Sequence, residues 1–95
     1  MAAYVIVNTN VHNPQAYEAY KARAKPLVEQ YGGKYLARGG EHKVIEGKWN
    51  PTRIVLLEFP TVEAAERFFN SPEYAPVKAI RHANADTDAV IVAGV

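Results

Sequence analysis

The sequence predicts an α+β fold of the ferredoxin-like type, a split βαβ arrangement with a four-stranded antiparallel sheet. Four short runs rich in β-branched and apolar residues predict strands, at 4–10, 34–38, 53–59 and 88–94. Between them, capping residues precede apolar residues at helical spacing, which predicts helices. The resulting order is strand, helix, two strands, a pair of helices, strand, which is the split βαβ order. Because such crossovers are right-handed, both helical segments are expected on one face of the sheet.

The first helix is predicted between strand one and the paired glycines at 32–33. Asn13 is expected to cap it, and Pro14 suits the first helical position because its missing N–H is not needed there. One apolar stripe follows at helical spacing, consisting of Tyr17, Tyr20, Ala24, Leu27, Val28 and Tyr31. Pro26 is expected to kink this helix. The glycines end it, since glycine tolerates the left-handed conformation.

Strands two and three are separated by "GGEHKVIEGKWNP", which begins with Gly39 and Gly40. A phosphate-binding loop would need glycines that lead into a helix, and here they lead into the strand-like "EHKVIE". A bulge or bend within one long strand, with a positive φ at a glycine, is therefore predicted. Residues 41–46 are expected to extend past the sheet as an arm, and residues 46–51 to turn back into strand three.

The second helical segment follows Pro60, which ends strand three. Thr61 is the predicted cap of a short helix whose inner face carries Val62, Ala65, Phe68 and Phe69. Asn70 breaks this helix. Ser71 and Pro72 restart a helical turn, but Pro76 disturbs it. The helix that follows the short one therefore begins either at Ser71 and Pro72 or at Pro76, and it runs to about Asn84.

The composition limits the classes of function. The 95 residues suit one domain, 1–95, and the 11 basic against 10 acidic side chains argue against nucleic acid or an anionic membrane as partner. There is no cysteine, which excludes disulfides, thiolate zinc sites and cysteine nucleophiles. The three histidines lack metal-ligand spacing, and no cofactor is expected. With neither a signal peptide nor a membrane-spanning run, a cytoplasmic protein is expected.

The strands are apolar on both sides, although an antiparallel sheet normally has one wet face. Whichever side faces away from the helices, at least five large apolar side chains point there. Leaving them exposed to solvent forgoes roughly 8–15 kcal/mol of burial free energy. That cost rivals the ~5–15 kcal/mol stability of a small domain. No segment remains to cover them. A homodimer packed sheet against sheet is therefore predicted, the alternative being a monomer that holds a ligand on its open face.

Three blocks of the sequence, "YGGKYLARGG", "EGKWNPTRIVLLEFP" and "FFNSPEYAPVKAIR", resemble those of domain-of-unknown-function family 1330. This resemblance covers nearly the whole chain and implies membership of the dimeric α/β-barrel superfamily. It implies the same homodimer as the two-sided strands, and it implies no activity. In relatives of this superfamily the pocket lies between the helices and the sheet or inside the barrel.

Topology gathers candidate site residues on one rim of the sheet, where strands one and two end and strands three and four begin. The residues expected there are His12, Arg38, Trp49, Arg53, His82, Asn84, Asp86 and Asp88. For substrate binding the candidates are Arg38, Trp49 and Arg53. Arg38 either holds an anionic ligand or pairs with Asp86 or a backbone carbonyl. Trp49 is either a substrate platform or an aromatic dimer contact.

His82, Asp86 and Glu58 are the candidate catalytic residues, as general acids or bases. His82 also suits a helix C-terminus through the helix dipole alone. Glu58 is either a desolvated base with a raised pKa or a strand-end charge paired across the sheet. His12 and His42 are expected to be solvated.

Three functions are compatible with the sequence. The first is a cofactor-independent enzyme, an isomerase, cyclase, decarboxylase or monooxygenase, acting on a small anionic or enolisable metabolite that Arg38 would hold. The second is a non-catalytic dimer that binds a small ligand or another protein. The third is haem binding through a histidine, as the resemblance allows.

Overall fold

The computed structural model describes residues 1–95 and confirms the predicted α+β, ferredoxin-like fold. Its elements in chain order are β1 (Ala3–Val11), α1 (Pro14–Gln30), β2 (Lys34–Arg38), β3 (Ile54–Phe59), α2 (Val62–Phe69), α3 (Ala75–Asn84) and β4 (Ala85–Ala93). The four strands form one sheet in the order β2-β3-β1-β4, with every neighbouring pair antiparallel. None of the helices is long and apolar enough to cross a membrane.

The predicted helix caps are present. The side chain of Asn13 accepts a hydrogen bond from the backbone N–H of Ala16 at 3.2 Å, and Thr61 caps α2 in the same way. Pro26 lies inside α1, which continues past it to Gln30. The hydroxyl of Ser71 accepts from the backbone N–H of Tyr74, but this turn precedes α3, which begins at Ala75.

The segment after β2 differs in part from the prediction. Gly39 has a positive φ of +74°, as expected, but residues 40–52 pair with no strand. The expected continuation of strand two through Gly39 into a strand-like arm is therefore wrong. The bulge lies earlier, between Tyr35 and Ala37. Strand four is longer than predicted and starts at Ala85 instead of Asp88.

The core lies between the helices and one face of the sheet. Val5, Leu57 and Phe59 face the helices and pack with Phe68 of α2. The turn between α1 and β2 packs against Phe59 of β3 and requires a glycine at position 33, since a Cβ there would lie 2.7 Å from the ring of Phe59. The absence of a side chain at position 33 is therefore dictated by packing.

The opposite face of the sheet is open and apolar, as the two-sided strands predicted. Alternation along the strands places Tyr4 and Ile6 there, together with Leu56 of β3. On β4, Val90 and Val92 are 55% and 46% exposed. No helix or loop of the same chain covers these side chains fully, so the core occupies only one side of the sheet.

Candidate functional site

A cavity opens between the helices and the sheet, close to the end of β2. The cavity has a volume of about 40 Å³, or about 500 Å³ when the space at its open mouth is included. Its sheet side is apolar, formed by Val7, Val55 and Leu57. The other walls carry four tyrosines and four cationic side chains: Tyr17, Tyr20, Tyr35, Tyr74, Lys21, Arg38, Arg53 and Arg81. No Asp, Glu or His lines it.

Arg38 reaches this cavity because of the bulge in β2. In a regular strand, residues 35 and 38 would point to opposite faces of the sheet. Here Tyr35 pairs with Leu57 and Arg38 pairs with Val55, and both partners face the helices. One extra residue between the two pairs therefore turns Arg38 onto the helix side.

Two contacts hold the guanidinium of Arg38. Its Nη2 donates a hydrogen bond of 2.8 Å to the backbone carbonyl of Lys21 in α1. Its Cζ lies 4.3 Å from the centroid of the Tyr35 ring, within the range of a cation–π interaction. One hydrogen bond leaves most of the five donors of this group without a protein acceptor. Arg38 is therefore positioned and still able to bind an anion.

Arg53 is positioned through its backbone. The side-chain oxygen of Asn8 in β1 accepts hydrogen bonds from the backbone N–H of Thr52 at 2.9 Å and of Arg53 at 3.2 Å. The Cζ of Arg53 lies 5.5 Å from the ring centroid of Tyr17. Gly39 leaves room for this guanidinium, since a Cβ on residue 39 would lie 2.6 Å from its Nε.

Arg81 belongs to the buried face of α3, one turn after Val77. It is only 8% exposed, and it forms no ion pair and no side-chain hydrogen bond with the protein. Arg81 lines the cavity, and no side-chain nitrogen of the protein is both fully enclosed and without a partner, so its guanidinium keeps some access to solvent. A charge buried without a counter-charge is costly. Arg81 is therefore the feature that most directly indicates an anionic ligand.

Two phenols form a hydrogen-bonded pair in the wall. The hydroxyls of Tyr20 and Tyr74 are 2.7 Å apart. Burial, reinforced by Tyr74, raises the pKa of Tyr20 far above its usual value, although the guanidinium of Arg81 acts in the opposite direction. Burial also raises the pKa of Tyr35, opposed in part by Arg38. Tyr20 and Tyr35 therefore stay protonated at neutral pH and offer donors to a ligand.

The other candidate residues from the sequence lie elsewhere. His82 is exposed on α3, and Asp86 is on the open face of the sheet, where its carboxylate is 2.7 Å from Nε2 of His12. Glu58 is also on the open face, 3.3 Å from Nζ of Lys34. Trp49 is 60% exposed and borders a shallow depression on that same face.

Of the six candidates, the cavity therefore brings together only Arg38 and Arg53. Sequence reasoning missed Arg81 and assigned Tyr17 and Tyr20 to the apolar stripe alone. The signal for Arg81 was its spacing. It follows Tyr74 and Val77 at seven and four positions, so it lies on the apolar face of α3.

Fold and cavity together define a ferredoxin-like α+β protein with a cationic, aromatic pocket between the helices and the sheet. The chain belongs to the family described as domain of unknown function DUF1330, whose model matches residues 2–95. No curated protein matches the sequence significantly.

Solved structures of the same fold resemble this one. A protein of unknown function from Rhodopseudomonas palustris has a TM-score of 0.79 and 20% identity, and the match covers 99% of this chain and 82% of the other. For SnoaB, a cofactor-independent oxygenase from Streptomyces nogalater, the TM-score is 0.70 at 12% identity, over 99% and 92%. For a dimeric ferredoxin-like protein of unknown function from Thermobifida fusca, the values are 0.69 and 18%, over 99% and 92%. At these identities the likeness shows the fold alone.

Proposed function

We propose that the protein is a small enzyme without a cofactor that binds a planar anionic or enolisable metabolite in the cavity between the helices and the sheet. The reaction would be of the isomerase, cyclase, decarboxylase or monooxygenase type. One observation carries the proposal: Arg38, Arg53 and Arg81 line a largely apolar cavity that has no carboxylate in its wall. Such a cavity has a standing electrostatic preference for an anion.

The same groups favour the formation of an enolate. Fixed guanidinium donors in a site of low polarity stabilise negative charge as it develops on an oxygen, and they need no reorganisation to do so. The bonded hydroxyls of Tyr20 and Tyr74 leave one proton free to donate beside the ligand space. His82, Asp86 and Glu58 take no part in this proposal, because none of them lines the cavity.

We further propose that the working unit is a homodimer in which two sheets pack face to face. The support is the open apolar face that carries Ile6, Leu56, Val90 and Val92. Burying such side chains yields about 1.5–3 kcal/mol each, and an isologous contact buries two sets at once. The dimeric relative from Thermobifida fusca has the same fold. Trp49, exposed at the edge of this face, would then be an aromatic dimer contact.

A second candidate is a non-catalytic dimer that binds a small ligand. The observation in its favour is that no Asp, Glu or His lines the cavity, so the site lacks a general base with a pKa near neutrality. An enzyme with this wall would have to rely on the acidity of its substrate, on the arginines to stabilise the enolate, and on water to accept the proton. The two candidates share the ligand and differ in whether it reacts.

Phenylpyruvate is a suitable probe, since it is planar in its enol form, anionic and enolisable. Exchange of its carbon-bound protons in D₂O, followed by NMR, reports enolisation, and the shift in melting temperature reports binding. The enzyme proposal expects accelerated exchange that is lost in Arg38→Met and retained in the control His82→Ala. Binding without accelerated exchange would favour the second candidate. If no planar carboxylate raises the melting temperature, the cavity is not the site.

A further inference from the structure

Of the four cationic side chains of the cavity, Lys21 pairs with Glu18 at 3.1 Å, and the three arginines form two groups. Arg38 lies 4.3 Å from the centroid of the Tyr35 ring, and the guanidinium of Arg53 occupies the space beside Gly39, the residue that follows Arg38. Arg81 shares the buried face of α3 with Val77, and two turns earlier on the chain lies Tyr74, whose hydroxyl is hydrogen-bonded to that of Tyr20. Arg38 comes from β2 and Arg53 from the residue before β3, whereas Arg81 comes from α3. The groups therefore approach the cavity from the sheet and from the helix layer.

Neither group is neutralised by the protein. No carboxylate lines the cavity. The three guanidinium groups donate a single hydrogen bond to the protein, from Arg38 to the backbone carbonyl of Lys21. A single negative charge on the ligand would pair one group and leave the other without a partner. Arg81 would then keep a nine-tenths buried charge with no counter-charge, the arrangement that proteins avoid.

We propose that the ligand is a planar dianion, a dicarboxylate with a flat body between its two acidic groups. One carboxylate binds at Arg38 and Arg53, and the other binds at Arg81. The body lies among the tyrosine rings on the apolar sheet side. This inference rests on the proposed function, since it specifies the substrate class of the same cavity.

Both the charge and the aromatic wall of the cavity favour this class. The planar fork of a guanidinium matches a carboxylate through two parallel hydrogen bonds. The wall of the cavity carries the rings of four tyrosines, against which a flat body can pack. The hydroxyl pair of Tyr20 and Tyr74 lines the same cavity as Arg81, and, because one of its two protons lies between the phenols, it supplies one donor to the second carboxylate.

The test uses the three isomers of benzenedicarboxylate, each compared with its own monomethyl ester by isothermal titration calorimetry. The three isomers cover different spacings between the two acidic groups. At least one diacid is expected to bind about tenfold to a hundredfold more tightly than its monoester, the effect of one charge-assisted hydrogen-bonded pair. In Arg81→Met this preference is expected to disappear, with the affinity for the monoester changed less than about threefold.

The controls separate binding from folding. Arg23→Met removes an exposed arginine from α1 and is expected to leave the preference unchanged. Arg81→Gln is a second variant if methionine disturbs the packing of α3, and the melting curve of each variant reports its folding. Equal affinity of every diacid and its monoester in the native protein would overturn the dianion and leave the proposed function standing. If neither diacids nor monoesters bind at millimolar concentration, both fail.

Discussion

A Cβ on residue 39 would lie 2.6 Å from Nε of Arg53 and 2.9 Å from its Cζ, so the guanidinium occupies the space that a side chain at Gly39 would fill. Gly39 also has a φ of +74°, a conformation that other residues rarely adopt. The glycine thus serves two purposes. It turns the chain at the end of β2, and it lets Arg53 reach the cavity.

Gly39→Ala is therefore expected to affect both stability and binding. The left-handed backbone costs about 1–2 kcal/mol for a residue with a Cβ, and the displaced Arg53 weakens the binding of a planar carboxylate. Calorimetric melting and titration measure the two effects. The matched control is Gly40→Ala, because φ at Gly40 is not positive and a Cβ added there would meet nothing within 4 Å. Equal behaviour of the two variants would contradict the role given to Gly39.

Arg81→Met is expected to leave the free energy of unfolding of the ligand-free protein unchanged or to raise it by up to about 2 kcal/mol, because a buried charge is exchanged for an apolar side chain. Its binding of a planar dianion should fall at the same time. Denaturant unfolding in dilute buffer measures the first effect, with Arg23→Met as the control. A clear loss of stability without ligand would show that Arg81 serves the fold instead of a ligand.

The native protein is expected to sediment at equilibrium with about twice the 10.5 kDa mass of the chain. Leu56→Glu places a charge in the centre of the open sheet face and should shift the protein toward monomer, since a buried unpaired carboxylate is strongly unfavourable. Ala79→Glu, at an exposed position of α3, is the matched control and should remain a dimer. A native protein that sediments as a monomer would refute the sheet-to-sheet assembly.

The raised pKa of Tyr20 makes stability depend on alkaline pH. Because burial holds the pKa in the folded state above the usual value of 10.0, the unfolded chain loses its phenolic proton first as the pH rises. The stabilisation is complete below about pH 10 and is lost progressively above it. Tyr35 has a shift of the same sign and contributes in the same direction.

Between about pH 9 and pH 11, the free energy of unfolding of Tyr20→Phe should therefore fall less than that of the native protein. At neutral pH the variant should be less stable by about 1 kcal/mol, because it lacks one hydrogen bond. Chemical denaturation across this range gives the comparison. Tyr31→Phe, at the residue that follows α1, is the matched control, since it also loses one hydroxyl hydrogen bond, the one that Tyr31 donates to Glu73. If the free energy of unfolding fell equally with pH in the native protein and in Tyr20→Phe, the role given to Tyr20 would be wrong.

The sequence alone determined the order and kind of the elements, because these follow from local signals. Asn13 and Thr61 cap their helices as predicted, and β2 has the predicted limits, Lys34–Arg38. The apolar character of both sheet faces could also be read, since side chains alternate along a strand. The family blocks indicated the same fold.

The cavity was decided by the tertiary structure. A bulge of one residue turns Arg38 from the open face to the helix side. No local sequence pattern predicts this bulge. Asp86 and Glu58 lie on the opposite face with partners of their own, His12 and Lys34. Topology placed residues at the correct edge of the sheet, but which face a side chain occupies depends on register, and a shift of one residue reverses it.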